Sequence, residues 1–250
     1  MAIGKVIDLD ALEVFCRRLA PVDLAGLPLY LIDGDTLPPD RTATTHGGLI
    51  GYTYEGLDAD IRDVLGERWR GRGPALIVSA NAVRDYYHES VLADVIEAVV
   101  LHELAHVLAL GTGRYRTAPD APARMEPEQL KWARFMAGPL PKAEEGERVE
   151  ADTHHGAEFV RVAVHLLARA EELGRDRVEF FDRIVAANEG TRACYGMGYY
   201  RWALRADLAR FSDVSFAAIM ATPVPPELVS LVDGECADWL PPNIEVWNVD

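Results

Sequence analysis

The stretch "VVLHELAHVLAL", residues 99–110, constrains the fold more than any other part of this chain. A helix that is apolar on nearly every side belongs in the middle of a protein rather than at its surface. Yet this one carries His102, Glu103 and His106. A buried polar group without a partner costs about 1–3 kcal/mol and a buried charge more, so something must satisfy all three together. No run in the sequence approaches the roughly 20 unbroken apolar residues that cross a bilayer. The helix is therefore read as the core of a soluble protein, with no membrane partner.

A shared metal ion is the economical partner. His102 and His106 are four positions apart, so they stand one turn apart on one helix face. Two imidazole nitrogens at that spacing can meet one zinc ion at about 2.0–2.1 Å. Glu103 lies about 100° round the helix from His102, which keeps it off the metal but near a water in an open coordination position. The metal acidifies that water and the carboxylate takes its proton. These are the mechanics of the HExxH pattern.

A catalytic zinc site needs a third protein ligand. "DTHHGAEF" offers His154 and His155 at the entrance to a helix read over 156–173, where Phe159, Val162, Ala163, Leu166, Leu167 and Ala170 follow helical spacing. His155 is four before Phe159 and falls in phase with the apolar face, whereas His154 projects about 100° away. His155 is preferred, with His154, or a glutamate such as Glu150 or Glu158, as the alternatives. His165 falls with Glu158, Arg161 and Arg169 on the other side, which reads as a solvated face. His46 and His88 read as loop residues with no role.

"HELAH" followed later by "HGAEF" resembles the SprT-like group of zinc metallopeptidases and its short relatives, over roughly residues 75 to 172. The resemblance implies His102, His106 and His155 as ligands of one Zn2+ per chain and Glu103 as the catalytic carboxylate. It implies an α+β, zincin-like fold, a small mixed sheet packed on the HExxH helix and a second ligand-bearing helix. The implied activity is peptide-bond hydrolysis, with a peptide or protein as substrate. The other readings are a non-catalytic zincin-like module and a zinc hydrolase acting on a non-peptide amide.

The rest of the chain fits around that helix. An amphipathic helix is expected over 8–20, with Leu12, Val14 and Phe15 apolar. Strands are expected at 27–33, 48–54 and 75–80, with a helical segment near 58–69. The second strand, in "GGLIGYTY", is a candidate edge for an extended peptide. The HExxH helix is expected over 91–110, capped by Ser90 and stopped by Gly111. A Pro- and Gly-rich insert spans 112–152, with one short helix at 126–136, and separates the ligand-bearing helices. Another helix is expected over 177–188. A domain over 1–190 is then followed by a helical, proline-rich extension over 191–250. Arg192, Tyr195 and Tyr199 in "TRACYGMGYY" are weighed as oxyanion donors and read as packing residues.

The net charge of −15 argues against a nucleic-acid surface, which needs a field of clustered Lys and Arg. Cys16, Cys194 and Cys236 are far apart and odd in number, and they read as reduced thiols. The amino terminus lacks a basic start and an apolar block, so a cytoplasmic location is expected. Nothing in the sequence sets the oligomeric state.

Overall fold

The computed structural model describes residues 8–36, 51–54, 62, 64–116, 156–189, 198, 201 and 205–232. Helix α1 (Leu9–Leu19) starts where Asp8 accepts a hydrogen bond from the Ala11 amide at 3.0 Å. It carries Asp10 in its first turn and Arg17 and Arg18 in its last, as the helix dipole favours. The buried stripe is Leu12, Cys16 and Leu19, whereas Val14 is exposed, so the inward face is rotated from the expected one. Burial pushes the Cys16 thiol up to about 12, which leaves it protonated and inert.

Strands β1 (Tyr30–Asp33), β2 (Gly51–Tyr54) and β3 (Ala75–Val78) form a three-stranded sheet in the order β1-β3-β2. β1 runs parallel to β3 with Leu31 opposite Leu76, and β2 runs antiparallel to β3 with Tyr52 opposite Ile77. Alternation along the strands divides the apolar side chains between two clusters. Leu29, Leu31, Leu76 and Val78 join the helices, while Tyr30, Ile32, Ala75 and Ile77 pack on Leu65, Val64 and Trp69. Every residue of β3 is buried, which is why "ALIV" reads as an unbroken apolar run.

The segment before β3 is stitched to β1. Tyr30 stacks on Trp69 with ring centroids 5.6 Å apart, and its hydroxyl donates to Gly71 O at 2.7 Å. Arg68 Nη2 donates to Leu31 O at 3.0 Å and Arg70 Nη2 to Leu29 O at 3.4 Å, occupying carbonyls on the side of β1 away from β3. Gly73 permits this close approach, because a Cβ there would stand 2.0 Å from Pro28 O.

Helix α2 (Ala80–Tyr86) is capped by Ser79, and a 3-10 turn over Glu89–Val91 leads into α3 (Leu92–Ala109). Ser90 is not the cap of α3. Its amide instead donates to His88 Nδ1 at 3.2 Å, and Val91 holds the cap position without a side-chain bond. α3 is the central element: it packs on α1, α2, β2 and β3 and on the later helices over 157–172, 178–189 and 216–220.

Helix α4 (Ala157–Glu172) closes with Arg175 N donating to Ala170 O and Gly174 N to Glu171 O, both at 2.8 Å. Gly174 takes φ +76° there, a left-handed cap suited to glycine. α5 (Val178–Glu189) is anchored just before its start, where Arg177 Nη2 lies 2.7 Å from both Asp94 and Glu97 of α3. α6 (Arg205–Arg210), α7 (Phe216–Met220) and α8 (Pro226–Val232) place Phe216, Ile219, Leu228 and Val232 in the same apolar cluster as α3 and α4.

The solvated face expected of α4 is also overturned. Arg161, His165 and Arg169 do not face water; they are 2%, 1% and 8% exposed. The segment from 205 to 223 covers them. Arg161 donates to Thr222 O at 3.0 Å, to Thr222 Oγ1 at 2.7 Å and to Asp207 Oδ2 at 3.3 Å. Arg169 donates to Leu19 O at 2.8 Å, to Phe211 O at 3.0 Å and to Val214 O, with its guanidinium 4.2 Å from the centre of the Phe216 ring. The Asp23 carboxylate completes the clasp by accepting from the Phe216 and Ala217 amides at 2.9 and 3.0 Å. Helical phase separates an apolar face from a polar one, but it does not say what will later cover the polar one.

Among the described residues no helix is long and apolar enough to cross a membrane. The short helix expected at 126–136 and the insert from Thr117 to Asp152 lie outside the described residues, as does the chain beyond Val232.

Candidate metal centre

α3 delivers His102 and Glu103 to the interior, 3% and 6% exposed, and leaves His106 half-buried one turn further on. The two imidazoles cross at 73° with centroids 4.9 Å apart. Their Nε2 atoms are 3.2 Å apart.

That separation can be tested against a metal. Two nitrogens at about 2.0–2.1 Å from a tetrahedral zinc stand about 3.3–3.4 Å from each other. The separation of the pair therefore matches the edge of a zinc tetrahedron. The same distance also suits an N–H···N hydrogen bond between the rings, whose donor depends on the tautomer. Two imidazoles with their Nε2 atoms this close, and a buried carboxylate on the residue after the first, form a donor set of the kind that suits a divalent cation.

α4 and α5 build the wall behind the pair. Phe159, in the first turn of α4, lies 4.5 Å from the His106 ring and 5.2 Å from the His102 ring, centroid to centroid. Phe181 of α5 stands 5.6 Å from His102 and 6.4 Å from Phe159. Phe181 was missed in the sequence, where its only signal is an aromatic on the apolar face of the helix read over 177–188.

Of the other sequence candidates, Glu158 is exposed and His88 caps the 3-10 turn before α3. His165 sits on another side of α4, with its ring 6.0 Å from that of Phe211. Burial is the main cause that drives its pKa down to about 4; Asp207 opposes the shift, and Arg161 and Arg169 add to it. His46, His154, His155, Glu150, Arg192, Tyr195 and Tyr199 lie outside the described residues. Among the described residues no group of three or more His, Cys, Asp and Glu side chains could hold a metal.

Comparison of the chain with protein-family models, with curated proteins and with solved structures finds no match in any of the three.

Proposed function

We propose that this chain is a zinc-dependent metallopeptidase in which His102, His106 and His155 hold one zinc ion and Glu103 is the general base. The observation that carries the reading is the 3.2 Å approach of His102 Nε2 to His106 Nε2 on a helix that buries Glu103 between them. Support for His155 comes from α4, whose first turn brings Phe159 against both histidine rings three residues after Gly156. Support for a zincin-like fold of the SprT-like kind is the pairing of "HELAH" with "HGAEF".

When bound at such a site, zinc lowers the pKa of a water towards neutrality and polarises a carbonyl. The residues do the rest. His102 and His106 donate through Nε2 as neutral imidazoles. Glu103 accepts the proton of the attacking water and returns it to the leaving nitrogen. An extended peptide is best accommodated along β2, which packs on α3, because Arg68 and Arg70 already occupy the outer carbonyls of β1.

Glu103→Gln tests the role of the carboxylate, since it removes proton transfer while keeping shape. Zinc content is expected to be unchanged, and hydrolysis of a broad peptide library to fall by about 10²–10⁴-fold, the share general-base catalysis supplies. Activity within about tenfold of wild type would remove Glu103 from this role. Zinc bound in both proteins with hydrolysis in neither would favour a non-catalytic binding module.

A further inference from the structure

The HExxH spacing explains why two histidines share a face, but not why their rings converge. The last torsion of a histidine is broad and roughly two-fold, so the helix alone leaves the direction of each Nε2 open. A hydrogen bond between the Nε2 atoms, 3.2 Å apart, can tie the rings to each other, but it does not set where the crossed pair points. Rings from neighbouring helices back it.

We propose that Phe159 and Phe181 are positioning residues for the metal-binding histidines. They fix the ring orientations at which the two Nε2 atoms converge, and the π face of Phe159 stabilises the imidazoles once these share a metal's charge. The inference rests on the proposed metal site, but it does not require that the site be catalytic.

Geometry supplies the first support. Phe159 is a wedge against both rings, at 4.5 and 5.2 Å, tilted 34° to His106 and 59° to His102. Phe181 backs His102 at 5.6 Å, and the two phenyl rings are themselves nearly parallel, at 23°. Both are buried, at 3% and 0% exposure. α5 is pinned for this purpose at its entrance by Arg177, which grips Asp94 and Glu97 of α3 upstream of His102. Charge supplies the second support. An imidazole gains positive character on binding a divalent ion, and an aromatic face within about 6 Å attracts positive charge. Leucine keeps an apolar side chain but removes both the flat ring and that attraction, so its effect reads the two together.

The test uses the full chain carrying Phe159→Leu, Phe181→Leu or Leu167→Ala. Leu167 lies two turns beyond Phe159 on α4, about 12 Å along the axis, and serves as a core change remote from the histidines. Three quantities are read: zinc affinity by chelator competition, the visible absorption of the cobalt-loaded protein, and thermal unfolding without metal. Phe159→Leu is expected to weaken zinc binding by about 10–100-fold, the range found for groups that orient metal ligands, and to change the cobalt spectrum. Phe181→Leu, which backs only His102, should weaken it less. Leu167→Ala should lower thermal stability while holding zinc affinity within about twofold.

Zinc affinity unchanged in Phe159→Leu, or reduced equally in Leu167→Ala, would overturn the inference and leave the metal site standing. If Phe159→Leu does not fold, Phe181→Leu decides by the same comparison with Leu167→Ala. A wild-type chain that binds no zinc would overturn both this inference and the proposed metal site.

Discussion

His154 and His155 are neighbours in the sequence, and replacing them should have very different consequences. In the proposed site His155→Ala lowers zinc affinity by orders of magnitude, whereas His154→Ala and Glu158→Ala leave it nearly unchanged. Glu158 is exposed at the start of α4, which agrees with the last of these. Chelator competition on the three variants checks the order; equal loss in His154→Ala and His155→Ala would show that the ligand was chosen wrongly. His165 makes a separate prediction, about pH. Its folded pKa of about 4 lies below its ordinary 6.5, so between those values the unfolded chain binds more protons. Stability therefore falls as pH drops from about 6.5 to about 4, by roughly 3 kcal/mol from this group. His165→Gln should remove that slope, read as the stability difference from wild type at pH 7 and at pH 4.5. A difference that does not change with pH would contradict it. The burial of His102 and Glu103 was legible because both lie within an apolar run. That of His165 was not, since nothing around it in sequence reveals the carbonyls and rings that enclose it.

Helix α4 shows what an element owes to distant chain. Its apolar stripe was readable from spacing, and its bounds, 157–172, differ little from the expected 156–173. Its other face is held by Leu19 before it and by Thr222, Phe211 and Val214 after it, all far off in sequence. Arg169→Met keeps the apolar stem but takes the guanidinium donors from Leu19 O and Val214 O and leaves Phe211 O only the Val214 amide at 3.4 Å, and a buried carbonyl that loses its donor costs about 1–3 kcal/mol. We expect a loss of at least about 2 kcal/mol in denaturant unfolding, with zinc affinity little changed because Arg169 is remote from the histidines. A loss below about 0.5 kcal/mol, the level of ordinary surface changes, would show that the clasp contributes little. The bounds of α3 agree with the expected 91–110 to one residue, but its cap differs for a related reason. Ser90 has the composition of a cap, but the chain fits a second helix and a 3-10 turn between β3 and α3, and these use Ser79 and His88 as caps instead.

At the scale of the whole molecule, α6 to α8 are part of the main core, since Phe211, Phe216, Ile219, Leu228 and Val232 share one cluster with α3 and α4. A chain ending at residue 190 would expose that surface together with Arg161 and Arg169. It should fail to unfold as one cooperative transition; a cooperatively folded 1–190 fragment would show the extension to be dispensable. The three-stranded sheet was legible as apolar runs, but its order was not, because β1 reaches β3 past the intervening β2 and only the pairing of Tyr30 with Ala75 reveals it. The central claim remains the metal centre, and native mass spectrometry of the full chain purified with zinc supplied tests it most directly. One zinc ion per chain is expected, lost in His102→Ala and in His106→Ala. A metal-free wild-type spectrum, or zinc retained in both variants, would contradict it.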